Sequence, residues 1–261
     1  MNLNELVYFD GVALQSISGV IVDGVYSFNS ANRNVEKSVI ISGNASTVTS
    51  TEFTGRVINI KGIIARVCRK DLDESIDGLK GLLTKQTAVL KTVMVDEYRL
   101  FRKCTVENLV ISDVMGGTAD FDIEIFSQEP YSYLDDMIRP LSVGIITATD
   151  ELSLSFDYGN IKQAPLITFN IGTVSTPLAN KTITIGNPAS GHSISIQRTW
   201  QEDELVLLDF DKKRITINNA EIYDYSGRML EWDIGAGQID WTDDFTDRDI
   251  TIDVEYRPRF I

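Results

Sequence analysis

Apolar and polar residues alternate along most of the chain. From Ile250 to Arg257 every even position is apolar or aromatic and every odd one polar. A period of two is that of a half-buried β-strand, whose side chains point alternately to opposite faces. The pattern recurs in Phe121–Ile125, Ile167–Ile171, Thr182–Ile185 and Ser193–Ile196. Turn-forming residues punctuate these runs: Gly186 to Gly191, Asp211-Lys212-Lys213, Asn218-Asn219 and Gly235-Ala236-Gly237. Short strands with such turns every 8–12 residues or so predict sandwiches or jelly rolls. Further strands are predicted from Val7 to Phe9, Gly19 to Val25, Val35 to Ile41, Phe53 to Val67, Ala88 to Met94, Leu100 to Ser112 and Thr118 to Phe126. The small, polar stretch Ile41 to Thr51 reads as a hairpin tip or loop.

One segment follows the other period. Leu72, Ile76, Leu79, Leu82 and Leu83 fall on a single helical face, which predicts a helix over 71–84. Asp71, Asp73 and Glu74 at its start and Lys80 and Lys85 near its end suit the helix dipole. Gly78 and Gly81 are read as allowing close approach to a sheet. Pro130, Pro140 and an irregular mix of residues mark a boundary between Ser132 and Asp150, drawn at 135/136. The chain therefore reads as mainly β with two domains. Residues 1–135 form a β-sandwich-like domain with the helix, and residues 136–261 a wholly β sandwich.

Composition narrows the classes. The 261 residues are 43% hydrophobic and 24% charged, as in an ordinary folded protein with its own core. The net charge of −14 is spread over both halves, with 20 acids and 14 bases up to residue 150 and 18 acids and 10 bases after it. That opposes a nucleic-acid grip, which needs basic stripes over the phosphates. Met1–Glu5 lacks the basic and apolar regions of a signal peptide, and no apolar run is long enough to span a membrane. Cys68 and Cys104 stand far apart, outside any C-x-x-C frame. They read as free thiols made in a reducing compartment, with a single bridge left open.

Candidate chemistry is sparse. The one histidine, His192, lies in the Pro- and Gly-rich turn Asn187–His192 and reads as a surface residue. Asp71 to Gly78 begins like a calcium loop, but Ile76 stands where Gly is required and Leu82 where a bidentate Glu is required. Asp240 to Asp249 carries five aspartates without a ligand spacing and reads as a solvated turn before the last strand. Glu202, Glu204, Glu231 and Asp233 could supply the carboxylate pair of a glycosidase, which needs a set separation and one raised pKa. No phosphate-binding glycine loop and no Gly-x-Ser-x-Gly elbow occurs. Trp200, Trp232 and Trp241 read first as core and secondly as platforms for a sugar ring.

The order of these pieces resembles the distal tail protein family, Dit, of bacteriophages with long non-contractile tails. In the first half an early strand, Gly19-Val20 and a long hairpin region lead to Gly62-Ile63-Ile64-Ala65-Arg66 and the lone helix. Tyr98 to Cys104 and the closing strand Asp120 to Phe126, ahead of Pro130-Tyr131, complete it. In the second half Gly186 to Ile196 is similar to the family's N-x-x-T/S-G-x-x-I hairpin. Glu204–Asp209 with Lys213–Asn218 is similar to its L-x-I-D … K-x-V-x-x-N-G hairpin, and Ile250–Arg259 to its ending. Asn219 stands where Gly is common, and Gly235 to Ile239 where a Pro-Gly-Asn turn is common.

The resemblance implies a galectin-like second domain and a structural role without catalysis, cofactor or metal. The first domains would form a homohexameric ring at the distal tip of the virion tail. That ring would join the major tail tube protein to tail-tip, baseplate and receptor-binding proteins. DNA would pass through it as cargo, nothing would insert in a membrane, and synthesis would be in the bacterial host's cytoplasm. The 35–62 hairpin region would make the ring interface, through Val39, Ile41, Val57, Ile58 and Ile60. Trp200 and Trp241 would be outward contacts to glycan or protein. The alternative is a carbohydrate-binding, lectin-like module without catalysis, and a glycosidase ranks last.

Overall fold

A computed structural model describes residues 7–26, 33–39, 46–53, 55–94, 97–114, 116–172, 178–246 and 248–261. They fall into two compact units, one running to Asp135 and the other from Asp136 to Phe260.

The first unit contains β1 (Tyr8–Phe9), β2 (Val12–Ala13), β3 (Val20–Tyr26), β4 (Arg33–Val39), β5 (Ser46–Phe53) and β6 (Arg56–Ala65). Helix α1 (Arg69–Leu83) follows, then β7 (Ala88–Met94), β8 (Glu97–Val114), β9 (Thr118–Ser127) and β10 (Ser132–Leu134). One antiparallel sheet runs in the order β2-β1-β7-β8-β9-β6-β3, with β10 beside the start of β8. The predicted alternation appears as burial: Ile58, Ile60 and Ile64 of β6 and Phe121, Ile123 and Ile125 of β9 face one core. Leu72, Leu79 and Leu83 of α1 join that core. The Ser75 hydroxyl donates to the Ser18 carbonyl at 2.7 Å and fixes the helix to the turn before β3. Its glycines are not there for close approach. A Cβ on Gly78 would sit at an ordinary 3.5 Å from Ile17, and one on Gly81 would meet nothing within 4 Å.

The second unit contains β11 (Ile138–Ile145), β12 (Thr149–Phe156), β13 (Leu166–Ile171), β14 (Leu178–Asn187), β15 (His192–Trp200) and β16 (Glu204–Asp209). It continues with β17 (Arg214–Ile217), β18 (Ala220–Ile222), β19 (Ser226–Gly227), β20 (Gly235–Asp243), β21 (Ile250–Tyr256) and β22 (Arg259–Phe260). Two antiparallel sheets, β11-β21-β13-β16-β17-β18 and β12-β20-β14-β15-β19, enclose a single core, which makes a β-sandwich. Phe169 and Ile252 from one sheet and Ile185, Ile194 and Trp241 from the other meet there. Asn218 (φ 49°) and Asn219 (φ 67°) both take the left-handed conformation that the tight β17–β18 turn demands. Gly235 to Gly237 is not the expected turn: it opens β20 and pairs with Leu154 to Phe156. A Cβ on Gly237 would stand 3.2 Å from the Phe156 ring and 3.3 Å from that of Trp232, so glycine keeps both rings in place.

Candidate assembly surface

Four strands of the first unit carry the surface of interest. Their registers align in rows across β3, β6, β9 and β8. Towards the core run Val25–Ile60–Ile123–Leu109 and Val22–Gly62–Phe121–Ile111. On the opposite face run Ile21–Ile63–Asp120–Ser112, Gly24–Lys61–Asp122–Val110 and Tyr26–Asn59–Glu124–Asn108. That face is acidic, with three carboxylates on β9 and one lysine. The Lys61 ammonium lies 2.7 Å from Asp122, and this hydrogen bond, ahead of the simple charge attraction, raises its pKa. Apolar side chains are exposed among the carboxylates: Ile21, Ile63 and Val110.

Among the described residues both ends of this four-strand ladder are open. Among the described residues, β3 pairs with β6 alone. Strand β8 is 18 residues long, and β7 covers only Glu97 to Cys104 of it. From Val106 to Val114 its side away from β9 has no strand beside it among the described residues. An unpaired strand edge presents a row of free N–H and C=O groups, a template for another strand. The hairpin β4–β5 likewise pairs only with itself among the described residues.

The predicted interface residues fall in different places. Ile58 and Ile60 are fully buried, because their parity on β6 points them at the core beneath α1. They are therefore core, which corrects their assignment to an interface. Val57 lies half-buried on the other face, in a row with Phe126 and Thr105. Strand β6 has neighbours on both sides from Asn59 to Ile64, so it is no edge there. Val39 ends β4, and Ile41 lies outside the described residues. The open edges of β3 and β8 escaped sequence reading, because adjacency in a sheet is set by topology and not by local pattern.

The second unit corrects the outward tryptophans. Trp200 and Trp241 are each 0% exposed, because their strand parity turns them inward. Both rings lie against Phe169, with centroids 6.2 and 5.2 Å away. Trp200 Nε1 donates to the Lys181 carbonyl at 2.9 Å, and Trp241 Nε1 to Asp243 at 2.8 Å. Trp232 is buried as well. The aspartate-rich segment is also more than a solvated turn. Asp243, with its side chain fully buried, accepts from Trp241, from the Phe245 amide at 2.8 Å and from Arg248 at 2.9 Å. Three of the four carboxylates considered for glycoside chemistry lie against cations: Glu204 with Arg198, Glu231 with Arg259 and Asp233 with Lys162. His192 is exposed at the start of β15, as predicted. Cys68 is a free exposed thiol and Cys104 a free buried one. No helix among the described residues is long and apolar enough to cross a membrane.

No protein-family model matches the chain, and no curated protein matches it by sequence. Among solved structures it is similar to the Dit protein of phage SPP1, described as a paradigm of the hub adsorption apparatus in phages infecting Gram-positive bacteria. The TM-score is 0.71 at 16% identity, over 98% of this chain and 99% of that one. A weaker likeness, with a TM-score of 0.47 at 8% identity over 94% of this chain and 93% of that one, is to a chain of the phage P2 baseplate in its activated conformation with calcium. The likeness to SPP1 Dit extends over both units, and this chain has the Dit fold.

Proposed function

We propose that this chain is a structural hub protein of a long, non-contractile phage tail, built as a homohexameric ring at the distal tip. The single observation that carries the reading is the β3-β6-β9-β8 ladder with an edge at either end that no strand among the described residues pairs, in a chain of the Dit fold. Every neighbouring pair in the ladder is antiparallel. Strand β8 of a second copy can thus lie antiparallel to β3 and continue the alternation. Such a contact is head-to-tail, the kind that makes a ring when the rotation between neighbours closes and a filament when it does not. The edges of β3 and β8 replace the interior positions of β6 as the interface, and the hairpin β4–β5 supplies a second contact.

The acidic face of the ladder would line the channel. Carboxylates such as Asp120, Asp122 and Glu124 repel the phosphates of passing DNA and keep it from sticking. The ring would join the tail tube to tip, baseplate and receptor-binding proteins, with no reaction catalysed. Negative-stain images of the chain, alone and with its tail tube protein, test this. Rings with an open centre are expected; dispersed single chains in both samples would count against the reading.

A further inference from the structure

We infer that neighbouring copies meet in one register, with Ile21 of one chain directly opposite Val110 of the next. The inference rests on the head-to-tail ring proposed above.

The apolar layers of the ladder are complete in its middle and incomplete at both edges. On the core side Ile60, Phe121 and Ile123 of the inner strands are buried. Val22 and Val25 of β3 and Val106 and Leu109 of β8 point to the same side but are only partly buried. On the other face one apolar side chain stands exposed on each edge strand, Ile21 at 46% and Val110 at 51%. Uncovered apolar surface on both faces of both edges suits an occupant that continues the sheet, not one that lies on a face. A second copy is such an occupant. Its β8 lies antiparallel to β3 when the ladder continues, and core-side residues then meet core-side residues.

The side-chain pattern selects the register. At the level that the strands share within one chain, Ile21 would face Ser112 and Val110 would face Gly24. A slide of two residues along β8 puts Ile21 opposite Val110, Val22 opposite Leu109 and Val25 opposite Val106. Apolar then meets apolar on both faces. The same slide aligns two irregularities. Strand β3 carries an extra residue at Asp23, between Val22 and Gly24, and β8 one at Glu107, between Val106 and Asn108. Three steps lead from Val22 to Val25 and three from Leu109 to Val106, so the two bulges cancel. At the shared level one of them would stay unmatched. A stagger between neighbours is also what a sheet needs to close on itself. The bulges bring Asp23 and Glu107, both exposed, near each other, a like-charge contact that salt screens.

Cysteine cross-linking of the full chain tests the register, with Cys68→Ser removing the exposed native thiol. Directly opposite residues have Cα atoms about 4.5–5.5 Å apart, within reach of a disulfide, whereas diagonal ones lie about 7–8 Å apart. Ile21→Cys with Val110→Cys in one chain is expected to give a ladder of covalent multimers on a denaturing gel after oxidation of the assembled sample. Ile21→Cys with Ser112→Cys is expected to give none. Val110→Asp is expected to raise the concentration for half-assembly about tenfold or more. Its melting temperature as an unassembled chain should match the parent's, because the position is exposed. Cross-linking of the Ile21 and Ser112 pair in place of the other would overturn the register while leaving the ring intact. So would assembly in which neither pair cross-links. A parent chain that assembles neither alone nor with its tail tube protein removes the ring and the register together.

Discussion

Gly62 and Phe121 face each other across β6 and β9, and the aromatic ring fills the space that a side chain at position 62 would need. A Cβ on Gly62 would stand 2.5 Å from Phe121 Cζ and 2.2 Å from the Ile21 carbonyl oxygen. The absent side chain lets three strands of the ladder close up around one ring. Gly62→Ala should cost about 2–3 kcal/mol by overpacking. Gly81→Ala, in open space on α1, should instead stabilise by about 0.5–1 kcal/mol. Urea denaturation of the two variants checks both signs.

Asp243 organises the end of β20. Its carboxylate takes hydrogen bonds from Trp241, Phe245 and Arg248, and it is fully buried. Asp243→Asn keeps the shape but leaves the largely buried Arg248 without its counter-charge, at an expected cost of about 3 kcal/mol. Thermal unfolding followed by tryptophan fluorescence should show the loss, with the second unit melting earlier.

The sandwich of the second unit was legible because period-2 alternation survives along Ile167–Ile171, Ser193–Ile196 and Ile250–Arg257. The helix was legible because five apolar residues share one face, although it starts at Arg69, two residues early. Strand β8 extends past both predicted ends, and the bulge at Glu107 reverses its parity midway, so no single alternation describes it. The orientation of Trp200 and Trp241 was not fixed by their type, because a tryptophan that reads first as core can also serve as a sugar platform. The assembly edges were invisible because each depends on which strand ends where beside its neighbour.

Trp200→Ala and Trp241→Ala test the second unit from another side. Both residues are core, so each truncation should destabilise by about 3–5 kcal/mol. The lectin reading requires loss of sugar binding in a chain that stays folded. Melting curves alongside a glycan screen separate the two: early melting is expected for each variant.

The two thiols should react in sequence. Cys68 is exposed, whereas Cys104 is buried and its pKa is pushed up to about 11, chiefly by desolvation. An aromatic disulfide reagent at pH 8 should label one thiol quickly and the second only on unfolding. The unfolded chain releases the Cys104 proton from about pH 9 upward, while the folded chain keeps it to about 11. Stability should therefore fall as pH rises through that window, by up to about 3 kcal/mol, and level off above it. Cys104→Ala should abolish this part of the alkaline decline.

The ring claim meets its most direct test in the absolute mass of the chain by light scattering at increasing concentration. Six chains of 29.1 kDa would give about 175 kDa. Convergence on that value, with no further growth, is the predicted result. A mass that stays at one chain, or stops at two, both alone and with the tail tube protein present, would contradict it.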